Sequence, residues 1–95
     1  MTKIEINLAQ GTLHAKGHAG YARRGNDVVC AAVSVVTQLC RICADKHGGK
    51  CTQRDGEILI ECTDKGFLPV LEACTDALKS IAVQHPLHVC VKVRR

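Results

Sequence analysis

Residues 3–18 read KIEINLAQGTLHAKGH. Ile4, Ile6 and Leu8 fall on alternate positions, the period of a half-buried strand. Ala9-Gln10-Gly11 reads as a short turn. From Thr12 to His18 the alternation resumes, with Leu13, Ala15 and Gly17 on one face and His14, Lys16 and His18 on the other. Two such runs joined by a short turn predict a β-hairpin at the head of the domain.

Beyond the hairpin, residues 19–26 carry Gly20 and Gly25 and show no period, so they read as a loop. A helix follows, with Asn26 or Asp27 able to accept from free first-turn N–H groups. Val29, Ala32, Val33, Val36, Cys40 and Cys43 recur at three- and four-residue steps and mark its core stripe. His47-Gly48-Gly49 reads as its C-terminal stop. Residues 51–62 hold two extended runs around Asp55-Gly56, a strong hairpin signal. A second helix is expected from about Phe67 to Val83, with Pro69 in its first turn and Phe67, Val70, Leu71, Cys74, Leu78 and Ile81 facing the core. Val89, Val91 and Val93 then alternate in a last strand. The order is ββαββαβ. One apolar stripe per helix predicts a single α+β domain over residues 1–95, a two-layer sandwich with both helices on one face of a five-stranded mixed sheet.

The chain holds one Phe, one Tyr and no Trp, so its core must be aliphatic and few rings are available to stack bases. Its net charge of +4 is spread along the chain, apart from Arg23-Arg24 and the C-terminal Lys92, Arg94 and Arg95. Dispersed charge reads as a solvated surface, and direct nucleic-acid binding is not expected. No stretch is expected to reach membrane-spanning length, and the N-terminus lacks the apolar segment of a secretion signal, so a cytoplasmic protein is expected. In that compartment seven cysteines, an odd number, read mainly as small buried hydrophobes rather than a disulfide framework.

Cys30 falls in the first turn of the first helix, where free N–H groups and the helix dipole favour a thiolate. His18 ends the second predicted strand, and the 19–26 loop returns the chain to that helix. If they meet, a thiol nucleophile, an imidazole to manage the proton and helical N–H groups for an oxyanion supply the parts of acyl transfer. Asp27, Cys30 and Ser34 are spaced to share one helix face. Plainer roles stand beside these: Asp27 as a cap, and Ser34 bonding back to the Cys30 carbonyl.

Gly17-His18, followed by Gly25 and then Asp27-x-x-Cys30-Ala31-Ala32-x-Ser34, resembles the signature of the Prp family, the bacterial ribosomal-processing cysteine proteases. The element order and the "ALKSIAVQHP" before the last strand resemble that family along the whole chain. The resemblance implies a small α/β sandwich, usually a homodimer, with a catalytic pair carried here by Cys30 and His18. It places Asp27 and Ser34 in the site and the glycine-bearing loop over it, with Gly17, Gly20 and Gly25 supporting that loop. It implies no cofactor or metal. The implied substrate is a large-subunit ribosomal protein, number twenty-seven in its series, trimmed of an N-terminal extension after an aromatic-aromatic-small motif. The positive net charge departs from the acidic balance of many members, as do Arg23-Arg24 in the loop and His85 before Pro86. The 19–26 segment is expected to act as a mobile lid.

Two other readings remain. Cys40, Cys43, His47 and Cys51 approach the spacing of a compact zinc knuckle. The basic balance would also suit a non-enzymatic, ribosome-associated binder.

Overall fold

The computed structural model describes residues 1–17 and 28–95. Its elements run β1 (Thr2–Asn7), β2 (Thr12–Lys16), α1 (Val28–Lys46), β3 (Lys50–Arg54), β4 (Glu57–Glu61), a 3-10 turn (Lys65–Phe67), α2 (Leu68–Gln84) and β5 (Val89–Arg94). This is the expected ββαββαβ order.

The five strands form one sheet in the order β3-β4-β2-β1-β5. β1 pairs antiparallel with β2, with Ile6 opposite Leu13, and parallel with β5, with Ile4 opposite Val91. β4 pairs antiparallel with β2 and with β3. The sheet is therefore mixed, and strands 40 residues apart in sequence become neighbours. Ile4, Ile6, Leu13, Ala15, Ile58 and Ile60 are buried on one face beneath both helices. Phe67, Leu71 and Leu78 close the core from the α2 side, and all three are fully buried. The only phenylalanine is thus spent on packing.

β2 ends at Lys16, two residues before the expected His18. The reason is Gly17, which turns to φ +97°, outside the conformations open to a strand. The β3–β4 hairpin turns at Asp55-Gly56 as expected, with Gly56 taking the left-handed position at φ +73°. After α1 the Gly49 N–H donates to the Ala44 carbonyl at 2.8 Å, so the predicted stop does end the helix. Proline occupies the first turn of α2, where its missing N–H costs nothing.

The stripe of α1 differs in detail from the expected one. Val29, Val33, Thr37, Cys40 and Ala44 are buried, while Ala32, Val36 and Cys43 sit at its margins. Thr37 enters the core because its hydroxyl is satisfied locally, donating to the Ser34 carbonyl at 3.1 Å. The expectation that no stretch reaches membrane-spanning length is corrected: α1 has 19 residues with a mean hydropathy of 1.6, enough by length and composition. Single polar residues hide this in a count of consecutive apolar positions, but not in an average.

Candidate active site

At 100° per residue, α1 presents three faces. One is the core stripe. Roughly opposite lie Val28, Val35, Leu39 and Ile42, all exposed. The third carries Cys30, Ser34 and Gln38 and looks along the end of the sheet.

That third face forms one wall of a cleft of about 480 Å³. Gly17, leaving β2, contributes to the opposite side, and the tip of the β3–β4 hairpin, Arg54 to Glu57, contributes a rim. Ala15 and Ile58 form an apolar floor. Gln38 Nε2 donates to Gln53 Oε1 at 3.2 Å and joins α1 to β3 beside the cleft. Cys30 is half-buried and packs against the core from this wall. Ser34, one turn further along, is exposed.

Gly17 is held closely. Its N–H donates to the Gly56 carbonyl at 2.8 Å, and a Cβ at this position would lie 2.5 Å from the Met1 carbonyl oxygen. Only glycine fits both this space and this backbone angle. The chain therefore leaves β2 toward residue 18 from a fixed point on the cleft.

Of the sequence-predicted site residues, Gly17, Cys30 and Ser34 line one cleft. His18, Gly20, Gly25 and Asp27 lie outside the described residues, as do the 19–26 lid and the capping choice between Asn26 and Asp27. The hairpin tip and Gln38 were not singled out from the sequence. Asp55-Gly56 announces a hairpin, but only the pairing of β4 with β2 brings that hairpin to α1.

The other cysteines serve packing. Cys40, Cys62 and Cys74 are buried, and Cys43, Cys51 and Cys90 are half-buried; all are free thiols. The neighbouring Cys74 thiol of α2 together with burial pushes the Cys40 thiol of α1 far up, to a form that stays protonated. Burial also raises the Cys51 thiol. The zinc-knuckle spacing does not become a knuckle. His47 Nδ1 is 2.8 Å from Asp64 Oδ2, tying the end of α1 to the 3-10 turn. Among the described residues no three His, Cys, Asp or Glu side chains are grouped to hold a metal.

The sequence profile of the cysteine protease Prp family matches residues 1–90. The ribosomal processing cysteine protease Prp of Mycoplasma genitalium is 58% identical over 31 residues, covering 33% of this chain and 31% of that protein, so the matched stretch spans about a third of that relative. Two solved structures of the essential ribosomal processing protease Prp from S. aureus share the fold at 17% identity. The one with a covalently linked product peptide has a TM-score of 0.89, and the one with a substrate peptide 0.83; each alignment covers 99% of this chain and 100% of the other. A Streptococcus mutans protein follows at TM-score 0.72 and 21% identity, covering 98% of this chain and 91% of that one. With its profile matched over nearly the full length and its fold shared from end to end, the chain belongs to the cysteine protease Prp family.

Proposed function

We propose that this chain is an endopeptidase that uses Cys30 as nucleophile and His18 as general base. It removes the N-terminal extension of the large-subunit ribosomal protein numbered twenty-seven before that protein enters the ribosome. The observation that carries the reading is the position of Cys30, a thiol near the start of α1 on the wall of a cleft large enough for several peptide residues. The chemistry follows from that position. His18 takes the thiol proton and the thiolate attacks the scissile carbonyl. The oxyanion that forms meets the N–H groups at the start of the helix. The C–N bond then breaks, with the proton passing to the leaving amine. Water hydrolyses the thioester and regenerates the thiol. Asp27 orients the imidazole, and Ser34 contacts substrate one helical turn away. A covalent peptide adduct is the intermediate such a nucleophile makes, and the S. aureus relative was solved with a covalently linked product peptide.

The enzyme is proposed to work in the cytoplasm as a homodimer. The dimer is supported by the outer face of α1, where Val28, Val35, Leu39 and Ile42 are 66%, 68%, 56% and 42% exposed. With Ala32 they follow a 4-3-4-3 spacing, which suits a helix seam between two copies.

Incubation with the unprocessed ribosomal protein, read by mass measurement of its N-terminus, tests the activity. A shortened product that disappears with Cys30→Ala supports the reading. An intact substrate overturns it. Labelling by a thiol-directed electrophile at neutral pH separates the enzyme from a non-enzymatic binder. The enzyme labels first at Cys30, whereas a binder shows no preference among its accessible thiols.

A further inference from the structure

The pleat of the sheet sorts charge that looks dispersed along the chain. The face turned away from the helices carries Lys3, Lys16, Lys50, Arg54, Lys92 and Arg94, all exposed. Against these six stand three carboxylates, Glu5, Glu57 and Glu61, on the same face. The described residues hold eleven Lys and Arg and eight Asp and Glu. Elsewhere on the described surface, five cations therefore face five carboxylates. The whole positive excess of the described residues sits on the open sheet.

Cross-strand pairing balances this face only in part: Glu57 lies opposite Lys16 and Arg54, Glu61 opposite Lys50, and Glu5 opposite Lys92. Lys3 and Lys16 are direct cross-strand partners, a like-charge pair that costs stability. None of the six cations makes an ion pair within 4 Å among the described residues. Glu57, opposite both Lys16 and Arg54, is hydrogen-bonded to His14 at 2.7 Å.

We propose that this open face docks the phosphate backbone of a nucleic-acid strand. Charge complementarity selects the partner class. Lys3 and Lys16 stand side by side on strands about 4.8 Å apart with Arg54 in the same row, and Lys92, Lys50 and Arg94 lie in the rows beyond, a net positive surface suited to a repeating anion. The face offers only Leu59 and Cys90 as apolar ground, both half-buried. It lacks the aromatic and apolar centre that a stable protein interface requires, and it has nothing to insert into a lipid layer. The face carries no Phe, Tyr or Trp to stack on bases, and the His14 imidazole is hydrogen-bonded to Glu57, so binding is electrostatic and tolerant of sequence.

A labelled single-stranded RNA of twenty nucleotides and mixed sequence, followed by anisotropy, tests this on the full chain. If about four phosphates are neutralised, log K falls with log salt at a slope of about −3, or roughly sixtyfold between 50 and 200 mM salt. Lys3→Gln/Lys16→Gln/Lys92→Gln should flatten that slope by about 0.7 per lysine and weaken binding at least about tenfold. A thermal melt checks that it is folded, since it loses the Lys3–Lys16 like-charge pair together with the Lys16–Glu57 and Lys92–Glu5 pairings. Lys46→Gln/Lys65→Gln/Lys79→Gln makes the same change in net charge on the helix side and should leave binding within about twofold. Equal losses in the two triple variants, or no binding by the wild type at 50 mM salt, overturn the proposal. So does tighter binding of poly-glutamate or of anionic lipid vesicles than of RNA, which would assign the face to an acidic protein or a membrane.

Discussion

The main-chain N–H of Gly17 and the carbonyl of Gly56 are joined at 2.8 Å, so the end of β2 is tied to the β3–β4 hairpin at the rim of the cleft that holds Cys30. This tie sets where the chain departs toward His18. Gly17→Ala forces a Cβ against the Met1 carbonyl and an unfavourable φ. It should cost about 1–3 kcal/mol and lower turnover by more than the stability loss explains. Thermal melts and cleavage rates on the same preparations check both parts.

Cys30→Ala and Cys40→Ala should separate chemistry from packing. Cys30 is half-buried near a helix start, so its truncation should cost less than about 1 kcal/mol and abolish cleavage. Cys40 is fully buried between the helices and should cost about 1–3 kcal/mol while the remaining folded protein cleaves normally. Denaturant midpoints beside single-turnover rates measure the contrast. A Cys30→Ala enzyme that cleaves normally sinks the proposed mechanism.

Asp27→Asn distinguishes an orienting carboxylate from a helix cap. Asn caps about as well as Asp, so a pure cap leaves both stability and activity unchanged. The proposed orienting role predicts a fall in activity with a shift in its pH profile and little change in melting temperature. Ser34 is exposed on the cleft wall, so Ser34→Ala should leave stability within about 0.5 kcal/mol and raise KM for peptide.

The His14–Glu57 pair sets an acid-sensitive contribution to stability. The hydrogen bond from His14 holds the Glu57 carboxyl below its ordinary range. A depressed carboxylate contributes stability above its unfolded-state value, about pH 4, and loses it as pH falls through the folded one. The acid limb of a melting-temperature curve should therefore be shallower for Glu57→Gln than for the wild type. The two curves should converge in strong acid.

Leu39→Lys places a charge in the centre of the outer stripe of α1 without touching the core stripe. The proposed homodimer should fall to monomer by light scattering at micromolar concentration, with the monomer still folded. A wild-type chain that is monomeric at the same concentration removes the dimer from the proposal.

Much of the architecture was legible in the chain because strand and helix periods are local properties of the backbone. Alternation at Ile4, Ile6 and Leu8, at Leu13 and Ala15, and at the terminal valines yields the strands. Three- and four-residue steps yield α1 and α2. Asp55-Gly56 and His47-Gly48-Gly49 mark where they stop, since glycine alone takes up the reversed backbone cheaply. Cys30, Ser34 and Gly17 were singled out because motif and helix position are also local. His18 and Asp27 were singled out in the same way, and their arrangement lies outside the described residues.

Relations between distant segments were decided only by the tertiary structure. No local pattern says that β4 pairs with β2, yet that pairing carries the 54–57 hairpin tip to the wall bearing Cys30. No count of charges says that six cations share one face; register and pleat do, because each strand sends alternate side chains to opposite sides and pairing aligns those sides across the sheet. The same holds for α1, whose apolar residues read as one stripe in sequence. Packing against α2 and the sheet buries Val29, Val33, Thr37, Cys40 and Ala44 and leaves Val28, Val35, Leu39 and Ile42 exposed. Periodicity sets which residues can share a face, and long-range contacts choose which face is covered.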